Sequence, residues 1–245
     1  MPVQEPETEG FKKWKDYVNK AVDNDKWDSL DGEIQVAVNT YNKHLLGVAG
    51  YVAIDWHYIK AILWVETGAD SSEWNTKPMQ IGVEGDPGLE ALLSGKEGGD
   101  LILPPVWKKQ LTMQSARTKP ADNIRAGIGY LLMRLANIEE RRVFDKDDKV
   151  YKVTVKSGDS LWKIADNQGS TVETLKELNT KIGVLRPGQE LMYKKASMKR
   201  VIVSWKSKTL SADVIAKFYN GGGDKIYAKK IEYALSLVRK KTCAQ

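Results

Sequence analysis

A chain of 245 residues with 42% hydrophobic side chains can hold one large domain, or a medium and a small one, around a real core. Its 38 Lys and Arg against 32 Asp and Glu leave a net charge of +6, which suits a polyanionic partner such as a cell wall and, on charge alone, nucleic acid equally. A lone cysteine, Cys243, excludes an intrachain disulfide, and with only His44 and His57 beside it neither a zinc site of the usual ligand set nor any other cofactor is expected.

The N-terminal stretch Met1 to Gly10 is acidic and contains prolines, unlike a secretory signal with its basic start and apolar run. The longest uncharged apolar run, Leu45 to Ile54, is far short of the roughly 20 residues that span a bilayer. The expectation is a soluble protein made in the cytoplasm, with no membrane span. Helices are predicted over Glu7 to Ala21, with Phe11, Trp14, Val18 and Ala21 on one stripe, and over Leu30 to Leu46, with Ile34, Val38 and Tyr41 on another. Both read as scaffold.

Gly47 and Gly50 break the second helix before Asp55, an N-cap candidate for a third. From Trp56 to Glu66 the side chains of Ile59, Ile62, Leu63 and Glu66 share one face, and Gly68 supplies a stop. Glu66 would then sit in the last turn, at the end of an apolar stripe. A carboxyl held against apolar walls keeps its proton toward neutral pH, the property of a general acid. Periodicity alone also describes an ordinary glutamate with its head in water, the commoner case.

Gly68 to Pro105 is punctuated by Gly, Pro, Asp and Ser and reads as loop. Within it the amide of Gln80 and the thioether of Met79 could line a groove for N-acetyl sugars, or could be a buried Met beside a loop Gln. Ala121 to Arg141 is predicted as the central core helix, capped by Asp122 or Asn123 after Pro120. Ile124, Ile128, Leu131, Leu132, Leu135 and Ile138 keep its spacing, and Gly127 and Gly129 would admit a neighbour closely.

After the charged run Glu139 to Lys149 the period changes to alternation. Tyr151, Val153 and Val155 read as a strand, Leu161, Ile164 and Ala165 as one short helix face, Val172, Leu175 and Leu178 as a second. Pro187-Gly188 then turns into a closing strand, Glu190 to Tyr193. Arg200 to Trp205 alternates and is expected to pair with the chain near Lys149 as a stalk. A helix Ser211 to Phe218, the segment Tyr219-Asn220-Gly221-Gly222-Gly223 and a last helix from Lys225 to Lys240 complete the chain.

Two resemblances give these elements a function. Glu66-Thr67, Met79-Gln80-Ile81, Asn123 to Leu131 and Tyr219-Asn220-Gly221-Gly222 resemble, in order, the motifs of lytic transglycosylases and goose-type lysozymes. The resemblance implies a mainly helical lysozyme-like domain with Glu66 as the catalytic acid and base. Tyr219 would hydrogen-bond that acid or the substrate acetamido group, and Thr67, Met79, Gln80 and Asn220 would meet the sugar. The chain departs from the pattern at Thr67, where the family has Ser, at Lys77-Pro78, where it has Gly-Leu, and in a short spacing from Glu66 to Gln80. Gly82 stands where the goose-type pattern has an Asp, so a second carboxylate would have to be Glu84 or Asp86.

The segment from Tyr151 to Tyr193 is similar to the lysin motif, LysM. That resemblance implies a βααβ module binding N-acetylglucosamine-containing glycans between two loops, Gly158, Asp159, Ser160 and Leu161 on one side, Ile182, Leu185 and Pro187 on the other. The expected class is therefore α+β, with a discontinuous lysozyme-like domain of residues 1–148 and 200–245 and an inserted LysM domain of residues 149–199. The expected activity is peptidoglycan cleavage, by transglycosylation in preference to hydrolysis by a muramidase. The alternative from another class is a wall-binding or phage structural protein without chemistry. Nucleic acid, favoured by charge alone, is not the expected partner. A wall-cutting enzyme without an export signal needs a carrier, either a phage holin or a secretion machinery paired with an immunity protein.

Overall fold

The computed structural model describes residues 7–146, 149–180 and 182–243. The first six residues of the acidic N-terminal stretch, the side chain of Cys243, and Asp147 and Asp148 at the expected domain boundary lie outside them. In chain order the elements are α1 (Glu9–Asn19), α2 (Asp31–Leu45), α3 (Trp56–Glu66), α4 (Gly88–Ser94), α5 (Gly99–Ile102), α6 (Met113–Thr118), α7 (Pro120–Leu135), β1 (Ala136–Phe144), β2 (Tyr151–Thr154), α8 (Leu161–Gln168), α9 (Val172–Leu178), β3 (Glu190–Tyr193), β4 (Ala196–Trp205), α10 (Ala212–Phe218) and α11 (Tyr227–Cys243). The class is mixed α and β, about 50% helical, and its strands form the two-stranded sheets β1–β4 and β2–β3. The chain divides into two compact units, Met1–Asn137 with Ile202–Gln245, and Ile138–Val201.

In the first unit α3 is buried nearly all round: Ile59 through Trp64 are at most 2% exposed, which only a helix inside a core tolerates. Asp55 caps it by accepting from the amide of His57 at 3.0 Å. Lys60 is a charge within this run, and its ammonium reaches Asp28 at 2.5 Å and Asp31 at 2.7 Å. Asp28 also meets Lys241 of α11 at 2.6 Å, so a set of alternating charges, its two ammonium groups buried and its carboxylates partly exposed, ties the last helix to α3.

The predicted long helix is shorter than its spacing suggests. Pro120 occupies its first turn and Lys119 its N-cap, without a side-chain cap, while Asp122 and Asn123 lie inside the helix and do not cap it. It ends at Leu135, and Ile138 lies in β1 instead. The cause is the returning chain: the Lys206 amide donates to the Leu135 carbonyl at 2.8 Å and its ammonium to the Arg134 carbonyl at 2.7 Å, occupying acceptors that a continuing helix would need. Likewise β4 pairs with β1, not with the chain near Lys149. Gly127 and Gly129 do admit close neighbours. A Cβ at Gly127 would stand 2.5 Å from Met79 Sδ, and one at Gly129 would meet the Tyr41 hydroxyl.

In the second unit β2 and β3 pair antiparallel, from Tyr151 opposite Tyr193 to Thr154 opposite Glu190, with α8 and α9 between them in sequence. Val155, Ile164, Ala165, Leu175, Leu191 and Tyr193 form its core. Ser160 and Thr171 cap the two helices by accepting from the amides of Lys163 and Thr174, each at 3.2 Å. Asn179 fastens the end of α9 to β3, accepting from the Met192 amide at 2.8 Å and donating to its carbonyl at 2.7 Å.

Candidate active site

Glu66 is held where α3 stops. The amides of Thr67 and Gly68 both donate to the Leu63 carbonyl, at 3.0 and 3.1 Å. Gly68 has φ +72, and a Cβ there would lie 2.7 Å from the Tyr17 hydroxyl, so both conformation and space require glycine. The half-buried carboxyl accepts a hydrogen bond of 2.5 Å from the hydroxyl of Tyr227, the buried first residue of α11. Burial raises the Glu66 pKa above its ordinary value of 4.5, the Tyr227 hydrogen bond and the charge of Lys230 oppose that rise, and Asp224 adds to it weakly. Burial likewise pushes the phenols of Tyr227 and Tyr219 far up, so both are neutral donors at physiological pH.

A cavity of about 200 Å³ opens on this carboxyl, lined by Glu66, Met79, Gln80, Ile81, Val83, Asp86, Tyr130, Tyr219 and Asn220. Its wall is the loop carrying Met79 and Gln80, clamped from three sides. Asn123 of α7 accepts from the Met79 amide at 2.8 Å and donates to the Ile81 carbonyl at 3.0 Å. Thr67 donates to the Pro78 carbonyl at 2.9 Å. Tyr219 donates to the Met79 carbonyl at 2.6 Å. Gln80 is the only non-glycine residue with positive φ, +53, among the described residues. Its amide nitrogen faces Glu73 Oε2 at 2.8 Å and the Lys77 carbonyl at 3.0 Å.

These contacts correct several sequence expectations. Tyr219 spends its hydroxyl on the Met79 carbonyl and does not hydrogen-bond Glu66, whose partner is Tyr227. Met79 does line the cavity, but its side chain is 1% exposed and packs against Gly127, so it offers the groove little surface. Thr67 is not among the cavity-lining residues and supports the loop. Glu84 is exposed and does not line the cavity, whereas Asp86 does. The Asp86 carboxylate accepts from the amides of Gly88 at 2.8 Å and Gly82 at 3.2 Å. The cavity thus gathers Glu66, Gln80, Asp86, Tyr219 and Asn220. Sequence reasoning missed Tyr227, Tyr130 and the clamp made by Asn123, a residue inside the helix and not its cap. Among the described residues no group of three or more His, Cys, Asp or Glu could hold a metal ion, and no helix is long and apolar enough to cross a membrane.

In the second unit Gly158 and Pro187 are exposed, while Leu161, Ile182 and Leu185 pack against the core. Asp159 accepts from the Lys156 amide at 2.7 Å and Ser160 is a helix cap, so both shape the first loop. The second loop ends beside the first: the Gly188 amide donates to the Val155 carbonyl and the Val155 amide to the Gln189 carbonyl, each at 2.8 Å. A recess of about 290 Å³ on this unit is lined by Ile182 together with α9-end and β3 residues, and by none of Gly158 to Leu161.

No curated protein and no solved structure matches the chain. A family model does: that of the LysM domain matches residues 153–192, which comprise the second half of β2, α8, α9 and all of β3 but its last residue. This segment is a LysM domain, which points to binding of peptidoglycan or chitin-like glycans.

Proposed function

We propose that the chain is a peptidoglycan-degrading enzyme that cleaves the β-1,4 bond between N-acetylmuramic acid and N-acetylglucosamine. Glu66 serves as acid and then base, and the LysM domain holds the protein on the wall. The observation that carries this reading is the Glu66 carboxyl: its pKa is raised by burial, it is hydrogen-bonded by a neutral phenol, and it opens onto a polar cavity. A carboxyl whose pKa is raised keeps its proton to a higher pH than a free glutamic acid does, which favours the role of acid.

In the proposed reaction Glu66 protonates the glycosidic oxygen as the bond from that oxygen to the muramoyl C1 breaks, leaving an oxocarbenium-like centre. The resulting carboxylate takes the proton from the muramoyl 6-hydroxyl, whose oxygen closes on C1 to give a 1,6-anhydro sugar. Tyr227 can keep donating throughout, which favours the carboxylate formed midway. One carboxylate suffices for this lytic transglycosylase route.

A second reading, hydrolysis by a muramidase, rests on Asp86, which lines the same cavity and could activate a water on the opposite face of the sugar. Mass spectrometry of digested peptidoglycan separates the two, because anhydro and reducing ends differ by one water. Intact glycan strands after exposure to the folded protein would remove both and leave a glycan-binding protein.

A further inference from the structure

A second recess, of about 350 Å³, lies beside the first across the peptide that joins Asn220 to Gly221: Asn220 lines the cavity of Glu66 and Gly221 lines this one. Its open side is the glycine turn. Gly221 and Gly222 have φ of +68 and +78, and a Cβ at either would meet nothing within 4 Å. Conformation requires glycine there, while the space above is free for a ligand.

The charges around it are unevenly committed. Asp224 is paired with Lys230 at 2.7 Å and also accepts from the Ile226 amide at 2.9 Å. Lys217 and Lys225 are exposed on the same wall, and among the described residues neither has a carboxylate partner in ion-pair range. Lys217 lies over the Phe218 ring, 5.2 Å from its centroid. With Asp224 neutralised by Lys230, the wall sets Lys217 and Lys225 against Asp213 alone, an excess of one positive charge next to the proposed cleavage point.

We infer that this recess is a subsite for the carboxylate-bearing peptide stem of the muramoyl unit at the scissile bond, contacted by Lys217 and Lys225. It would make the lobe selective for peptide-bearing peptidoglycan over uncharged N-acetylglucosamine polymers. This rests on the assignment of Glu66 as the cleaving acid, since it is that carboxyl which places the muramoyl unit next door.

Two measurements on the full chain test it. In the first, kcat/KM is compared on soluble glycan fragments carrying their stems and on the same fragments stripped by an amidase. The ratio should favour stem-bearing fragments and fall roughly tenfold in Lys217→Ala/Lys225→Ala, the size expected of two charge-assisted contacts. The second is calorimetric binding of a stem-bearing muramoyl disaccharide to Glu66→Gln, with and without the lysine pair. The lysine variant should bind about tenfold more weakly, and added salt should narrow the gap. Binding indifferent to the lysines, or a ratio unchanged by their removal, overturns the subsite even if cleavage proceeds. Lysine-dependent binding without cleavage by the native chain keeps the subsite and sinks the assignment of Glu66.

Discussion

The Tyr227 hydroxyl and the Glu66 carboxyl are 161 positions apart in the chain and 2.5 Å apart in the folded protein. Glu66 could be singled out because helical spacing put it at the end of an apolar face, and a stop at Gly68 put that face beside a loop. Tyr227 carried no comparable signal. It follows a glycine-rich turn as one aromatic among several, and only the packing of α11 along α3 brings it to the acid.

The pair leads to two expectations. Glu66→Gln should keep the fold, because the amide oxygen still accepts from Tyr227, and should abolish lysis. Since the folded pKa of Glu66 lies above the ordinary 4.5, the native state keeps this proton where the unfolded chain has released it. Native stability is therefore greatest below that value and falls as pH rises through the folded pKa, each pKa unit costing about 1.4 kcal/mol. The Gln variant escapes this loss. Its melting temperature should exceed that of the native chain at neutral pH and match it in acid, and equal melting curves at neutral pH would mean the carboxyl ionises freely. Tyr227→Phe removes a donor that lowers the Glu66 pKa, so the basic limb of the pH–rate profile should move up. Loss of a hydrogen bond to a charged group should lower kcat by roughly 10- to 100-fold. An unshifted profile would detach Tyr227 from the acid.

Elements were legible where their determinants are local. The caps at Asp55, at Ser160 and at Ser211, which accepts from the Val214 amide at 3.3 Å, and the stop at Gly68 act within a few residues of themselves. The C-terminal end of α7 was not legible, because it is set by Lys206 of the returning chain, which takes the carbonyls of Arg134 and Leu135. Ile138 continues the helical spacing by coincidence, and its pairing through β1 with β4 is a long-range contact invisible to a local pattern. The same helix positions the wall of the cavity by an absence. Gly127 leaves room for the Met79 thioether, and Met79 fixes the loop that carries Gln80. Gly127→Ala gains helix propensity of about 1 kcal/mol but places a methyl against that sulfur, with an overpacking cost of about 1–3 kcal/mol. A net loss in thermal stability is expected, and it should be smaller when introduced into Met79→Ala, which removes the sulfur and methyl from the clash at the separate cost of a core cavity, so that a double-mutant cycle reads the coupling of the two sites. Gly32→Ala in α2, where a Cβ meets nothing within 4 Å, is the control that should not destabilise.

At the scale of the whole molecule, the unit that could be read from sequence is the one whose contacts all close within a short stretch. The turn at Gly188, the helix caps and the Asn179 clamp of the LysM domain all lie within about 45 residues of one another in its pattern. The helical unit is assembled from two segments that meet only after the chain has left at Asn137 and returned at Ile202, so its cavity could be anticipated from motifs but not built from them. Such an insertion costs little, because closure entropy grows only logarithmically with the length inserted. Its ends are also close: the Asp145 amide donates to the Lys195 carbonyl at 3.1 Å. Replacing residues 146–194 by a short Gly-Ser bridge between those two positions therefore spares the pairing of β1 with β4 while removing the domain. If that domain is an anchor, its removal costs the effective concentration that tethering supplies. Retention on insoluble peptidoglycan should fall by roughly 10²-fold, whereas cleavage of soluble fragments, which need no tether, should change far less. Co-sedimentation with purified walls reads the first quantity and product release from soluble fragments the second. Equal sedimentation of the two proteins would mean that the helical unit holds the wall by itself, and that the LysM domain serves some other glycan.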